Sequence, residues 1–450
     1  MSLYWCELAW VGGDQATAAV LIEVTGDRLT SLTSGVECPS DATRLHGLTL
    51  PGLANAHSHA FHRALRGRTQ VGSGSFWTWR EVVYSASSKL QPDTYFRLAR
   101  AVYGEMALAG ITSVGEFHYL HHDVGGAAYS DPNAMGAALA AAAAEAGIRL
   151  TLLDCCYLHG GLGADGHTRL NEAQQRFSDG DVESWAQRAE AAESLRSAIC
   201  RPGAAVHSVR AVDAASIEKV AAWAGARDLP LHAHVSEQQA ENEQCIAAYG
   251  LTPTALLGDH GALSKSFTAV HATHLAGADF GRLGRAQCTV CLCPTTERDL
   301  ADGIGSALAL RNEGAQLAVG SDSQAVIDLF VEARGIELHE RLATQVRGSH
   351  NAPSLLTATC ANGQRALGWD EAGELAVGRL ADFVTLRLDT VRTAGSPASS
   401  ALETAVFAGA AADVHHSVVG GEVIVADGHH MRLDVARELH ATITELMDGA

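Results

Sequence analysis

The sequence predicts an α/β fold: a (β/α)8, TIM-like barrel carrying a small β-sandwich module built from both chain ends. Three observations predict it. Between residues 51 and 370, short apolar runs alternate with helical segments over most of the chain. Residues 1–50 and 371–430 carry β-prone runs parted by Gly/Asp turns instead. Histidine, glutamate and aspartate recur where the predicted barrel strands end, which is where such barrels gather their chemistry.

The elements follow in order. Residues 3–10, 18–24 and 29–32 read as strands separated by Gly12-Gly13-Asp14 and Gly26-Asp27. They are too few to bury a core, so they need partner strands from elsewhere. Residues 47–50 form a strand-like lead-in to Pro51-Gly52. A helix over 95–109 ends at Gly110 before a strand at 111–114, and a helix over 133–146 ends at Gly147 before a strand at 148–153. A helix over 185–200 follows. Short buried strands are expected at 205–206, 230–234, 268–271, 288–292 and 316–319. Strand texture returns at 381–388 and 417–425, with Gly420-Gly421 as a hairpin turn, and these runs can complete the N-terminal sheet. A Gly/Ser/Pro loop lies at 395–401, and a surface helix over 435–447 occupies the final segment, 431–450.

The chain has 450 residues, 47% hydrophobic and 18% charged, which suits one folded barrel plus one smaller module. A formal net charge of −19 disfavours nucleic acid or an anionic membrane as partner. It leaves room for a small anionic substrate met by a local arginine cluster. Ten cysteines over this length do not make a disulfide framework. The N-terminal MSLYWCELAW lacks a basic stretch followed by a long apolar run, and no run is long enough to span a bilayer. A cytoplasmic location and a homodimer are the expectations. Gly125-Gly126 lacks the context of a phosphate-binding loop.

The chemistry begins at His57-Ser58-His59. Side chains alternate along extended backbone, so two imidazoles two residues apart face one side and can grip one ion. His232 and His234 end the predicted strand in PLHAHVSE, His271 ends the next, and Asp322 follows the last after Gly320-Ser321. His57, His59, one histidine of the 232/234 pair and Asp322 make three imidazoles and a carboxylate. That set suits one Zn2+ per chain, with Fe2+ an alternative on the same donors. If His234 is the ligand, Glu237 can turn back over the metal and carry a proton to a leaving amine. Asp322 can accept a proton through its second oxygen, and His271 can polarise the attacked group. A single HxH among 22 histidines carries little weight; the ordered series HxH, HxxE, strand-end His and strand-end Asp carries far more. CTVCLC, residues 288–293, lacks a second cysteine pair and reads as packed free thiols. His121-His122 and His415-His416 read as loop and surface residues rather than ligands.

PGLANAHSHA, HAHVSE, VHATH and GSDS, in that order, resemble the amidohydrolase superfamily in its one-metal deaminase branch. ELAVGRLADFVTL resembles the segment by which such chains re-enter their β module. Within that superfamily FHRALRGRT (61–69), FWTWRE (76–81), GITSVGEFHYLHH (110–122) and HSVRAV (207–212) resemble the N-formimino-L-glutamate deiminases, and the similarity covers nearly the whole chain. The resemblance implies one zinc held by His57, His59, His234 and Asp322, with Glu237 and His271 beside the reacting carbon. It also implies Arg80, Tyr119, His207 and Arg210 on the substrate carboxylates, for which arginine offers a bidentate fork. His62 stands where that pattern commonly has glutamine; it can donate to a carboxylate with a charge that depends on pH.

The implied activity is hydrolysis of N-formimino-L-glutamate to N-formyl-L-glutamate and ammonia, a step of histidine degradation. One alternative is a deaminase of guanine or another nitrogen heterocycle on the same metal site, and imidazolonepropionase is a further relative. A planar base would prefer aromatic stacking to two arginines. Another alternative is a non-catalytic barrel scaffold, which would be free to lose ligands that are all present here.

Overall fold

A computed structural model describes residues 1–70 and 76–448. The side chains of Phe76, Trp77 and Asp448, and residues 449–450 of the segment expected at 431–450, lie outside the described residues.

The chain begins with β1 (Ser2–Ala9), β2 (Thr17–Thr25), β3 (Arg28–Ser34) and β4 (Thr43–Pro51). In β2 buried Val20, Ile22 and Val24 alternate with more exposed residues, as in a strand with one face on a core. The barrel follows with β5 (Leu53–Ser58), β6 (Ile111–His118) and β7 (Arg149–Cys156). A short hairpin, β8 (Gly161–Gly163) and β9 (Gly166–Thr168), interrupts it. The barrel resumes with β10 (Cys200–Val206), β11 (Leu231–Val235), β12 (Phe267–His271), β13 (Thr289–Leu292) and β14 (Gln316–Val319). These strands are buried almost end to end, as parallel strands covered by helices must be. They pair in the order β14-β13-β12-β11-β10-β7-β6-β5, and a bridge between Ser58 and Asp322 brings the two ends together. The expected eight-stranded parallel barrel is therefore present and nearly closed.

Both chain ends build the second unit. β15 (Phe383–Leu386), β16 (Val414–Val419), β17 (Glu422–Ala426) and β18 (His429–His430) join β1–β4 in the order β18-β17-β16-β15-β4-β1-β2-β3. Only the β1–β4 pairing among these is parallel. Tyr4, Ile22, Leu45 and Phe383 share its core, with the Tyr4 and Phe383 rings edge-on at 5.0 Å. The helix Val435–Asp448 packs on the helix Pro92–Leu108, where Glu445 and Glu438 meet Arg97 and Arg100. Among the described residues no helix is long and apolar enough to cross a membrane.

Several local readings change. The lead-in at 47–50 belongs to β4 of the module, and the first barrel strand starts only at Leu53. Gly52 makes the crossing, its N–H donating to the Asp382 carbonyl at 2.9 Å, and a Cβ there would collide with Thr112. The helix expected through Cys200 ends at Ala191, and a single 3-10 turn follows to Leu195. The Ser197 hydroxyl accepts from Cys200 N at 3.1 Å and turns the chain into β10, which is much longer than the two residues expected. His121 and His122 follow β6 but are buried, their Nε2 atoms 2.9 Å from Cys155 O and Asp179 Oδ1. His415 is half-buried and His416 buried, both on β16 rather than on a free surface. A bulge there lets two consecutive side chains meet, Nδ1 to Nδ1 at 2.9 Å.

One ion pair ties module to barrel. Arg149 on β7 and Asp382, just before β15, are both buried and bonded twice, Nε to Oδ2 at 2.7 Å and Nη2 to Oδ1 at 3.0 Å. Gly420 N also donates to Asp382 Oδ1. Removing one partner of a buried pair strands the other charge, so Asp382→Ala should cost about 3–5 kcal/mol. Chemical denaturation should show that loss, with a smaller one for Asp382→Asn; an unchanged midpoint for both would mean that the pair does not hold the two units together.

Candidate metal centre

The site is built on the seam of the barrel. Asp322 N donates to His57 O at 3.0 Å, and His59 N donates to Asp322 O at 3.1 Å. The approach requires Gly320, since a Cβ there would lie 2.8 Å from both Cβ and O of His57. Asn55 locks the same corner, accepting from Ser321 N at 2.9 Å and donating to Ser321 Oγ at 2.7 Å. Ser58 faces away from the two histidines and donates to Glu116 at 2.7 Å, while Gln324 donates to Ser58 at 2.9 Å. Asp322 (φ 43°), Ser236 (φ 51°) and His271 (φ 69°) are all left-handed, a costly backbone state that concentrates where strand ends carry function.

Four side chains converge there. His57 Nε2 and His59 Nε2 lie 3.2 and 3.4 Å from Asp322 Oδ1, and His234 Nε2 lies 3.2 Å from His57 Nε2. All four residues are buried, with one donor atom from each within 4.8 Å of the others. Their hydrogen bonds suit a cation. His59 Nδ1 lies 3.2 Å from the Phe117 carbonyl, and His234 Nδ1 2.9 Å from the His207 carbonyl. A ring nitrogen facing a carbonyl carries the hydrogen, so Nε2 keeps its lone pair and turns it inward. Lone pairs and a carboxylate oxygen then face one another, and a divalent ion such as zinc satisfies them together. Burial first, and repulsion from neighbouring rings second, hold His57 and His59 well below the usual histidine pKa and His234 down at about 3. The rings are thus neutral, the form that binds metal. His232 is spent elsewhere, its Nε2 2.8 Å from the Ala366 carbonyl, which leaves His234 as the member of that pair in the cluster.

His271 stands beside this group. Its Nε2 is 3.9 Å from Glu237 Oε1 and 3.8 Å from Asp322 Oδ2, and its Nδ1 is 3.5 Å from Glu297 Oε1. Burial opposes a charge on the ring, but the Glu237 carboxylate, with Glu297 and Asp322, outweighs it and pushes the pKa up to about 10. Glu237 is in turn paired with Arg210 at 3.2 Å, and Arg210 reaches Glu241 at 3.7 Å.

A cavity of about 200 Å³ opens onto Asp322, Glu237 and His271. His62, Arg80, Tyr119, His207 and Arg210 all line it, together with His59 and His234, while His57 lies behind them in the donor cluster. His62 Nε2 is 3.3 Å from Tyr119 OH. Burial lowers the His62 pKa to about 3, so the ring is neutral and its change of charge falls far below neutrality. Arg80 lies on Tyr84 and within 3.5 Å of Tyr157 OH and the Gly160 carbonyl. Tyr84, Tyr157 and Gln244 also line the cavity and were not singled out, because isolated aromatics and amides form no motif; Trp79, within FWTWRE, lines it too, though only its neighbour Arg80 was given a role. Glu297 and Glu241 were missed for another reason: both sit in helices, where a carboxylate reads as solvated surface.

The comparisons agree with this geometry. The model of the Amidohydrolase family matches residues 48–424. The chain is 37% identical over 418 residues to a formimidoylglutamate deiminase of Pseudomonas aeruginosa, covering 90% of this chain and 91% of that one. An 8-oxoguanine deaminase of the same species is 28% identical over 415 residues, covering 89% and 87%. Among solved structures, an amidohydrolase from Brucella melitensis superposes with a TM-score of 0.91 at 32% identity, covering 99% of this chain and all of that one. An adenosine deaminase from Xanthomonas campestris with bound zinc shares the fold, at a TM-score of 0.84 and 21% identity over 99% and 98% of the chains. With its seam-built His/Asp cluster, its parallel barrel and these matches over nearly its full length, the chain belongs to the amidohydrolase family.

Proposed function

We propose that this chain hydrolyses N-formimino-L-glutamate to N-formyl-L-glutamate and ammonia, with one zinc ion per chain held by His57, His59, His234 and Asp322. The observation that carries the reading is the 37% identity, over nine-tenths of the chain, to a formimidoylglutamate deiminase. Two arginines in one small cavity support it, because the substrate bears two carboxylates.

A divalent cation in this cage would supply the Lewis acidity that brings the pKa of a water to about 7; Fe2+ is an alternative on the same donors. Asp322 takes the proton of the attacking water through Oδ2, the oxygen turned towards His271. The water oxygen bonds to the formimino carbon, and His271, kept positive by its carboxylate neighbours, stabilises the tetrahedral adduct. Glu237 carries a proton to the terminal nitrogen, the carbon–nitrogen bond breaks, and ammonia leaves. Arg80 and Arg210, with Tyr119, His207 and His62, bind the carboxylates and hold the carbon against the water.

A second reading, a deaminase of a nitrogen heterocycle, draws on the 28% identity to the 8-oxoguanine enzyme and on the aromatic rings of the cavity. A neutral heterocycle makes less use of the Arg80 and Arg210 guanidinium groups on the cavity wall than a dicarboxylate does. A scaffold without activity fits poorly with a complete donor set. Ten unpaired cysteines accord with a reducing cytoplasm, and a homodimer is the assembly that goes with the reading.

Three outcomes test it. Purified protein should hold about one equivalent of zinc, and either its removal or Asp322→Asn should abolish ammonia release from N-formimino-L-glutamate; substantial turnover after both would sink the mechanism. Glu237→Gln should lower kcat by about 10²–10⁴ with bound zinc unchanged; a wild-type kcat removes Glu237 from proton transfer. Arg80→Met should raise KM for the dicarboxylate by about 30-fold or more, as when one side of a charged contact is stripped. An unmoved KM, together with ammonia release from guanine in a panel that includes N-formimino-L-aspartate and cytosine, would favour the heterocycle.

A further inference from the structure

Asp322 presents its two oxygens to different donors. Oδ1 lies against His57 and His59 at 3.2 and 3.4 Å, whereas Oδ2 lies 3.8 Å from His271 Nε2. On that second side Cys293, immediately after β13, completes another trio. One donor atom each of His271, Cys293 and Asp322 lies within 4.8 Å of the other two, and all three residues are buried. Imidazole, thiolate and carboxylate are the donors of zinc-like ions, and the sulfur biases the set towards soft cations. Charge points the same way. Glu297, Asp322 and Glu237 close on the single His271 ring at 3.5, 3.8 and 3.9 Å, so an ion that displaces the proton of that ring meets the same carboxylates that now hold the proton there.

We propose that His271, Cys293 and Asp322 form a second, inhibitory cation site that takes a thiophilic divalent ion and shares Asp322 with the catalytic centre. The proposal rests on the reading of His57, His59, His234 and Asp322 as the first centre. Two-metal hydrolase sites hold their ions about 3.5–4 Å apart, a separation that a bridging carboxylate spans. Here the bridge removes activity, because the second ion takes Asp322 Oδ2 and His271, the groups that handle protons. On binding, the Sγ–metal bond forms as the Cys293 S–H bond breaks, and the ring nitrogen–metal bond forms as the protonated His271 gives up the N–H on that nitrogen; both protons leave to solvent and no electron changes hands. Cys291, two residues earlier on β13, is buried nearby but outside the trio, and serves as the control.

The test titrates cadmium into zinc-loaded enzyme. The wild type should take up one further ion per chain while keeping its zinc, develop the ultraviolet thiolate-to-cadmium charge-transfer band, and lose turnover. Cys293→Ser and Cys293→Ala should keep the uninhibited turnover, lose the band, and need about tenfold or more cadmium for half inhibition, since losing even a residue that merely orients a ligand costs that much. Cys291→Ser should respond as the wild type does. Equal inhibition of both Cys293 variants, or cadmium entering only as zinc leaves, overturns the second site. Zinc-replete, active enzyme that takes up no cadmium overturns the second site alone. Protein that turns over its substrate without any metal overturns the first centre, and the shared arrangement with it.

Discussion

Two backbone hydrogen bonds at the seam of the barrel, between Asp322 and the His57–His59 run, hold the rest of the site in register. They make neighbours of residues more than 260 positions apart in the chain. A parallel barrel closes only if its first and last strands meet, and here they meet through the residues that carry the donor atoms. Fold and site therefore share one geometric condition. Gly320 makes the approach close enough, Asn55 fixes its direction, and Ser58 turns outward to Glu116 so that both imidazoles turn inward.

Electrostatics divides the histidines into two kinds. His57, His59 and His234 are buried beside one another and stay neutral, and carbonyls behind His59 and His234 fix which nitrogen faces in. His271 is equally buried but has carboxylates on both edges, and it holds a proton instead. The same side-chain type thus serves as metal donor and as cationic stabiliser, set apart by what surrounds each ring. Arg210 adds a restraint of its own: by pairing with Glu237 it couples the proton carrier to the carboxylate-binding wall.

Much of this was legible in the sequence because it follows from short-range rules. The period-2 spacing of His57 and His59, and the positions of His234, His271 and Asp322 at predicted strand ends, need only the geometry of a strand and the polarity of a barrel. His234 could not be told from His232 by spacing, since both face one side; the Ala366 carbonyl under His232 decides between them, and it lies 134 residues away. The start of β10 was hidden because a serine turn, rather than a glycine or proline, ends the preceding helical stretch. Tyr84, Tyr157 and Gln244 meet only through tertiary packing, which leaves no periodic trace.

The module contains both chain ends in one sheet, and that has a consequence for how the protein comes into being. β4 can pair with β1 early, but its other edge, Leu48 to Pro51, waits for β15. During synthesis some 330 residues must emerge before that edge is covered, and closing so long a loop is slow. Until then a nascent chain carries an open strand edge with Leu48 and Leu50 on it, the kind of template that recruits other chains. The architecture that frames a nearly closed barrel in the finished protein thus exposes its own growing chain to aggregation longest at the step just before the barrel's first strand.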